Sequence, residues 1–174
     1  LMTAQIGNGG YSIKPKIIVN DDSSNFEQNK KAFKERILND SKTKLFENSK
    51  NIKIVQEAMF SSTNERYGTS YKSRIDDPKY QFAGKTGTAQ VKRISKRERE
   101  LDLKLEQIPY KDRDHALYVA YGPYKNPRYA LSIIIEHGGS GSRAAAPMAK
   151  KLFKLIIDRG ELRKKQPNFK KIDI

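Results

Sequence analysis

Alternating and continuous apolar runs predict three β-strands in the second half of the chain. Residues 80–91 alternate between two faces, and two further β-prone runs follow at 116–121 and 128–136. The loop Gly122–Pro127 between these runs predicts a hairpin. Because Ile133–Ile135 is apolar without interruption, we expect this strand to be covered on both faces.

Helical spacing appears in three places. Residues 1–6 predict the end of a helix that stops at the glycine-rich turn Gly7–Gly10. Ile52, Val55 and Met59 predict a short amphipathic helix that ends at residues 61–64. The last helix is expected to begin near Ala145 and to close at Gly160, with a broad apolar face made of Met148, Leu152, Phe153, Ile156 and Ile157.

Two polar segments interrupt this pattern. Residues 20–50 are rich in Lys, Asn, Asp and Ser and predict a surface excursion with weak helical character. Residues 92–113 are densely charged and predict an insertion between strands, partly helical along a stripe of Leu101, Leu105 and Ile108.

The order of elements predicts an α/β fold with an antiparallel sheet of three strands, one face of which is buried by the C-terminal helix. Residues 1–160 would form this domain portion, and residues 161–174 a basic, frayed tail. Because the first segment has no cap and begins at Leu1, we expect the chain to be part of a longer protein.

Composition narrows the partners without choosing one. The 174 residues hold 35 Lys and Arg against 20 Asp and Glu, a net charge of +15. Such a surface favours nucleic acid, anionic lipid or acidic wall polymers. The absence of cysteine excludes thiolate metal sites. No run approaches the ~18 apolar residues of a membrane span, so an anchor would have to lie outside this sequence.

The candidate chemistry is concentrated in Lys85, Thr86, Gly87 and Thr88. The lysine is a compact cation, the threonines offer hydroxyls, and a glycine within a strand often marks the close approach of a ligand. An open strand edge can also bind a peptide as an added strand. This combination suits a carboxylate and a developing oxyanion.

The run Phe82–Val91 resembles the Lys-Thr-Gly box of the penicillin-recognising serine enzymes. The flanks are similar to class B penicillin-binding proteins of the elongation type, and they cover most of the chain outside residues 20–50 and the tail. The similar segments are Leu1–Gly10, Val55–Phe60, Tyr67–Thr69, Arg113–Leu117, Gly122–Pro127 and Glu136–Gly141. The resemblance implies the C-terminal part of a transpeptidase domain with a penicillin-binding-protein/β-lactamase-like fold.

The same resemblance implies roles for four residues. Lys85 would project toward the catalytic serines, and the hydroxyls of Thr86 and Thr88 would bind the carboxylate of a terminal D-alanine or of a β-lactam. Gly87 would allow close approach, and the backbone N–H of Thr88 would be one oxyanion-hole donor. No cofactor and no metal is implied.

The nucleophile is expected outside this chain. Ser41–Lys44 matches Ser-x-x-Lys literally, but a serine three residues before a lysine is expected by accident in so basic a chain, and the segment is too polar to bury a lysine. Ser62–Asn64 matches Ser-x-Asn, but it lies too close to Lys85 and is better interpreted as a helix end and turn. The chain alone is therefore predicted to be inactive.

Other polar side chains have simpler interpretations. His115 and His137 lack metal-site spacing, and the acidic residues Asp112 and Asp114 beside Arg113 predict local salt bridges. The tyrosines of the hairpin predict sheet packing rather than a nucleic-acid stacking surface; they are Tyr118, Tyr121, Tyr124 and Tyr129.

The resemblance implies that the complete protein is a serine D,D-transpeptidase of cell-wall synthesis, cell shape and cell division at the periplasmic face of the inner membrane. Its partners would be D-Ala-D-Ala stem peptides, β-lactams and cell-elongation proteins. Exposed strand edges would favour dimers. The main alternative is a non-catalytic basic domain that binds nucleic acid or wall polymer, and a β-lactamase shares the Lys-Thr-Gly box.

Overall fold

A computed structural model describes residues 1–15, 43–93, 101 and 103–165. These residues fall into two compact units, Leu1–Ala58 and Met59–Ile174. The predicted weak helical pattern of residues 20–42, the insertion residues 94–100 and the tail beyond 165 lie outside the described residues. The proposed domain boundary at residue 160 stays a prediction.

The first unit contains helix α1 (Met2–Gly7) and the beginning of helix α2 (Ser49–Asn64). Helix α1 stops as predicted: Asn8 is the C-cap, and Gly9 and Gly10 both have a φ of +89°, a conformation that favours glycine. Tyr11 and Lys44 form an isolated antiparallel bridge. The amide of Gln56 on α2 donates to the carbonyl oxygen of Ile6 at 2.7 Å, which fixes the end of α1 inside this unit.

The second unit is built on the predicted antiparallel sheet. Its strands are β1 (Ala83–Ala89), β2 (His115–Gly122) and β3 (Tyr129–Ile135), in that order. Thr86 lies opposite Tyr118 on β2, which in turn lies opposite Ile133 on β3. A π-helical turn, Gly141–Ala145, leads into helix α3 (Ala146–Lys165).

One face of the sheet carries the core. Small residues bring α3 close to the strands, and the ring of Phe153 stacks on that of Phe82 at a centroid distance of 4.8 Å. The core comprises Ile75, Phe82, Ala116, Tyr118, Ala120, Ala145, Ala146, Ala149, Phe153 and Ile157. Four of these ten residues are alanines that lie on β2 or in the first turns of α3. The helix therefore approaches the sheet with little side-chain bulk between them.

The expectation that β3 is covered on both faces is wrong. Its residues alternate between half-buried and exposed, and Ile134 is 62% exposed. The physical reason is that α3 and the π-helical turn pack on one face only within the described part of the chain. Three successive isoleucines reflect β-propensity here as much as burial.

The expectation that Gly160 closes the last helix is also wrong, because α3 continues to Lys165. A side chain at residue 160 would overlap the hydroxyl of Tyr129, so this glycine serves packing rather than termination. Glu161, assigned to the tail from the sequence, lies in α3 and forms an ion pair with Lys79 at 3.0 Å.

Two smaller expectations change as well. The helical stripe through Leu105 and Ile108 is replaced by two short 3₁₀ turns, Leu105–Gln107 and Tyr110–Asp112. On α3, Phe153 and Ile157 are buried, whereas Met148 is 45% exposed and Leu152 is 36% exposed, so the buried face is narrower than predicted. No helix within the described ranges combines the length and apolarity that a membrane crossing requires.

Candidate functional site

Strand β1 lies at the edge of the described sheet, and its free edge, the side on which no described strand pairs with it, carries the candidate residues. The carbonyl oxygen of Phe82 accepts a hydrogen bond from the Asn64 amide at 3.0 Å, so it points away from β2. Backbone groups alternate along a strand, and Thr86 and Thr88 are four and six residues on. Their N–H and C=O groups therefore face the same free edge.

The side chain of Lys85 lies on the face of the sheet opposite to that of Thr86, and it reaches the same edge. Its ammonium donates to the carbonyl oxygen of Thr86 at 2.7 Å and lies 3.4 Å from the Thr86 hydroxyl. A long side chain on one face and a hydroxyl on the other thus meet at the free edge. The arrangement concentrates donors where an added peptide strand would lie.

A line of hydroxyls continues from Thr86 to the end of α2. Thr86 Oγ1 lies 3.2 Å from Thr69 Oγ1, which lies 3.3 Å from Ser62 Oγ. Ser62 was rejected as a nucleophile from the sequence, and its segment does form the last turn of α2. Ser62 is linked to the Lys-Thr-Gly strand through Thr69, and this link could not be predicted from the positions of these residues in the sequence.

A second hydroxyl group lies buried beneath the strand. The Tyr118 hydroxyl lies 2.9 Å from Thr63 Oγ1 and 3.0 Å from Ser70 Oγ, and the latter donates to the carbonyl oxygen of Ser62 at 2.9 Å. Burial raises the pKa of Tyr118, and the hydrogen bonds with Ser70 and Thr63 oppose that shift. Tyr118 is therefore neutral and can donate one hydrogen bond while it accepts another.

Two glycines make room for these contacts. A Cβ at Gly84 would overlap the Tyr118 hydroxyl, so the tyrosine reaches Thr63 and Ser70 only because residue 84 has no side chain. A Cβ at Gly141 would lie 2.6 Å from the carbonyl oxygen of Gly87, so the π-helical turn packs directly on the backbone of β1. The sequence alone gives no indication of this close approach between Gly141 and Gly87.

The histidines and acidic residues form local contacts. His115 Nδ1 accepts the backbone N–H of His137 at 3.0 Å, and His137 Nδ1 lies 3.0 Å from the Arg113 carbonyl oxygen. Asp112 forms an ion pair with Lys92 at 3.2 Å, rather than with the neighbouring Arg113. Among the described residues, no group of three or more His, Asp or Glu side chains could hold a metal ion. Ser41 lies outside the described residues.

Comparison with known proteins identifies the family. Residues 2–154 match the penicillin binding protein transpeptidase domain. The chain belongs to this family. The resemblance to class B penicillin-binding proteins is confirmed, and the fold is that of penicillin-binding protein 2 transpeptidase structures.

Similar curated proteins are peptidoglycan D,D-transpeptidases named MrdA. The Salmonella typhimurium protein is 39% identical over 105 residues, which are 60% of this chain and 16% of the relative. The Haemophilus influenzae protein is 35% identical over 59% of this chain and 15% of the relative. The chain thus spans about one sixth of the length of these relatives.

Two solved structures share the fold. Pseudomonas aeruginosa PBP2 in complex with WCK 5153 is 26% identical, with a TM-score of 0.59, over 89% of this chain and 28% of that one. Helicobacter pylori PBP2, in a complex with MreC, is 30% identical, with a TM-score of 0.52, over 65% of this chain and 18% of that one.

Proposed function

We propose that β1 is the substrate-binding wall of a serine D,D-transpeptidase that cross-links peptidoglycan stem peptides. The observation that carries the proposal is the free edge of β1, where the Lys85 ammonium lies against Thr86 and the backbone of Thr88 faces outward on the same side. These groups are hydrogen-bond donors, and both a peptide carboxylate and a tetrahedral oxyanion require donors.

Each residue has a distinct task in this proposal. Thr86 and Thr88 bind the carboxylate of the terminal D-alanine, or of a β-lactam, and Lys85 supports them with its positive charge. The Thr88 N–H donates to the oxyanion, and Gly87 keeps the strand free of bulk beside the substrate. Removal of one oxyanion donor typically slows acyl transfer by a factor of about 100 or more.

The serine nucleophile of the complete protein belongs to sequence outside these 174 residues. Its hydroxyl oxygen attacks the carbonyl carbon between the two D-alanines, the peptide C–N bond breaks, and D-alanine leaves with the transferred proton. The amine of a second stem peptide then attacks the acyl-serine and restores the hydroxyl. A β-lactam carbonyl follows the first half of this sequence and leaves a covalent penicilloyl-serine.

The names of the relatives support a proposal for the cellular setting. MrdA proteins are peptidoglycan transpeptidases, and the Helicobacter pylori PBP2 structure contains MreC. We propose that the complete protein acts at the periplasmic face of the inner membrane, anchored by a segment outside this chain, and joins a cell-elongation complex through an MreC-like partner. Its work there would serve cell shape and division.

Fluorescent penicillin tests the proposal. The full-length protein should be labelled covalently, Lys85→Ala should lower the labelling rate about 100-fold, and Lys50→Ala, at an exposed lysine outside the site, should label normally. The 174-residue chain alone should not be labelled. Labelling of the isolated chain would refute an external nucleophile, and an unlabelled full-length protein would refute the transpeptidase.

Steady hydrolysis of the penicillin by the full-length protein would instead indicate a β-lactamase. A transpeptidase should release the hydrolysed product only very slowly, because its acyl-enzyme reacts with an amine acceptor rather than with water. The same labelled sample, followed for one hour by mass spectrometry, distinguishes a persistent adduct from turnover.

A further inference from the structure

Thr69 is an exposed residue whose backbone is nevertheless held firmly between two neighbours. A Cβ at Gly68 would overlap the carbonyl oxygens of the last turn of α2, at Ser61 and Ser62, so only glycine allows the chain to fold back so closely. On the other side, both the backbone N–H and the hydroxyl of Ser70 donate to the Ser62 carbonyl oxygen, at 3.0 and 2.9 Å.

The buried Tyr118 hydroxyl strengthens this attachment. It lies 3.0 Å from Ser70 Oγ, and Ser70 is 1% exposed. If Thr63 donates to Tyr118, Tyr118 can donate to Ser70 and Ser70 to the Ser62 carbonyl, so each hydroxyl proton has an acceptor. The turn that carries Thr69 is therefore tied to the core on which β1 is built.

The Thr69 hydroxyl projects from this turn to the candidate site. It lies 3.2 Å from the Thr86 hydroxyl, which also lies 3.4 Å from the Lys85 ammonium. An ammonium can only donate, so Thr86 Oγ1 accepts from Lys85. Whether the Thr86 hydroxyl donates its proton to Thr69 or elsewhere then depends on whether the Thr69 hydroxyl accepts or donates in this pair.

We propose that Thr69 is a positioning residue for Thr86. Its hydroxyl donates to Thr86 Oγ1, takes its own support from Ser62 Oγ at 3.3 Å, and so leaves the Thr86 proton directed to the carboxylate of the substrate. The inference rests on the proposed function, since it concerns the same carboxylate, and it adds a residue outside the Lys-Thr-Gly strand to that site.

The experiment compares two penicillins on the full-length protein, one with its free carboxylate and one as the neutral methyl ester. Thr69→Val, which keeps the shape and removes the hydroxyl, should lower the acylation rate constant of the acid about three- to tenfold, the size of one neutral hydrogen bond. The ester should react equally with variant and wild type. Thr69→Ser should restore the rate with the acid.

A double variant tests whether Thr69 acts through Thr86. In a Thr86→Val background, Thr69→Val should have no further effect, because the hydroxyl it orients is gone. Thr43→Val makes the same change at an exposed threonine of the first unit and should leave both rates unaltered.

The outcomes separate the inference from the proposed function. If the wild type is acylated but Thr69→Val reacts with the acid at the wild-type rate, or loses acid and ester reactivity equally, the positioning role is refuted and the transpeptidase stands. If the wild type fails to react with either penicillin, the proposed function itself fails. A melting temperature equal to that of wild type shows that Thr69→Val is folded.

Discussion

Two tyrosines of β2 are equally buried, but their hydroxyls have opposite surroundings. Tyr118 is 0% exposed and hydrogen-bonded to Thr63 and Ser70; Tyr121 is 1% exposed, and its hydroxyl has no partner among the described residues. Tyr118→Phe should lower the free energy of unfolding by about 1–3 kcal/mol, because two buried hydroxyls lose a partner. Tyr121→Phe should leave it unchanged or raise it by up to about 1 kcal/mol. Urea unfolding at pH 8 measures both, and equal losses would contradict the assignment.

The same pair predicts how stability responds to alkali. Burial raises the pKa of Tyr118 and of Tyr121 above the ordinary value of 10.0. The unfolded chain therefore ionises first: stability is unaffected below pH 10 and falls as the pH rises from 10 through the raised folded pKa, by up to about 1.4 kcal/mol per pH unit for each tyrosine. Since Tyr118→Phe lacks one of these groups, its unfolding free energy should approach that of wild type between pH 10 and 11. A constant difference over that range would contradict the prediction.

Gly84 offers a test of the space beneath the strand. Gly84→Ala places a methyl group against the Tyr118 hydroxyl and should cost about 1–3 kcal/mol of unfolding free energy through overpacking and lost hydrogen bonds. Gly87→Ala is the matched control on the same strand, where the described atom nearest to the added Cβ is the Leu117 Cβ at 3.3 Å. Calorimetry should show the larger loss for Gly84→Ala, and the reverse order would refute the role given to residue 84.

At the scale of elements, the sequence pattern located the strands well and the layers around them less well. Alternation and the Gly122–Pro127 loop predicted β1, β2 and β3 within a few residues, because these signals are local. The exposed face of Ile134 and the helix that continues past Gly160 depend on which partner packs there. Residue 160 is a glycine because the Tyr129 hydroxyl, 31 residues earlier in the chain, lies where a Cβ would be, and periodicity cannot carry that information.

Only some residues of the candidate site could be identified from the sequence. Lys85, Thr86, Gly87 and Thr88 could be named from the sequence because they are consecutive in it. Thr69 and Tyr118 could not be linked to them, since a contact between a turn, a strand and a buried hydroxyl depends on tertiary packing. The need for glycine at residue 68 also depends on tertiary packing, because a Cβ there would overlap the carbonyl oxygens of the last turn of α2.

The two faces of β3 give a prediction at this scale. Ile134→Lys should change the unfolding free energy by no more than about 0.5 kcal/mol, because the side chain is 62% exposed. Ile133→Ala, on the face that packs against the core, should cost about 2 kcal/mol or more of unfolding free energy.

β3 is also an edge of the described sheet, so Ile134→Lys should weaken any strand-paired dimer. If sedimentation shows that the variant dimerises like the wild type, the β3 edge is not the dimer interface.

For the whole molecule, the net charge of +15 and the candidate site on β1 predict two different kinds of binding. A basic surface attracts any polyanion through counterion release, without a specific geometry. The free edge of β1, by contrast, depends on a few donors at fixed distances. The family assignment concerns the domain as a whole. The binding role of the β1 edge stays a proposal, and the basic charge is a general feature of the surface.

Lys85→Ala should separate these two properties. It removes one of 35 basic side chains, so the affinity of the chain for a DNA duplex should barely change, and that affinity should fall by orders of magnitude between 50 and 200 mM salt if several phosphates are contacted. Penicillin labelling of the full-length protein should fall sharply in the same variant, because the ammonium at Thr86 is lost. Fluorescence anisotropy and gel labelling give the two readouts. Tight DNA binding that persists at 200 mM salt, together with a full-length protein that penicillin does not label, would instead identify a basic binding domain on a transpeptidase fold.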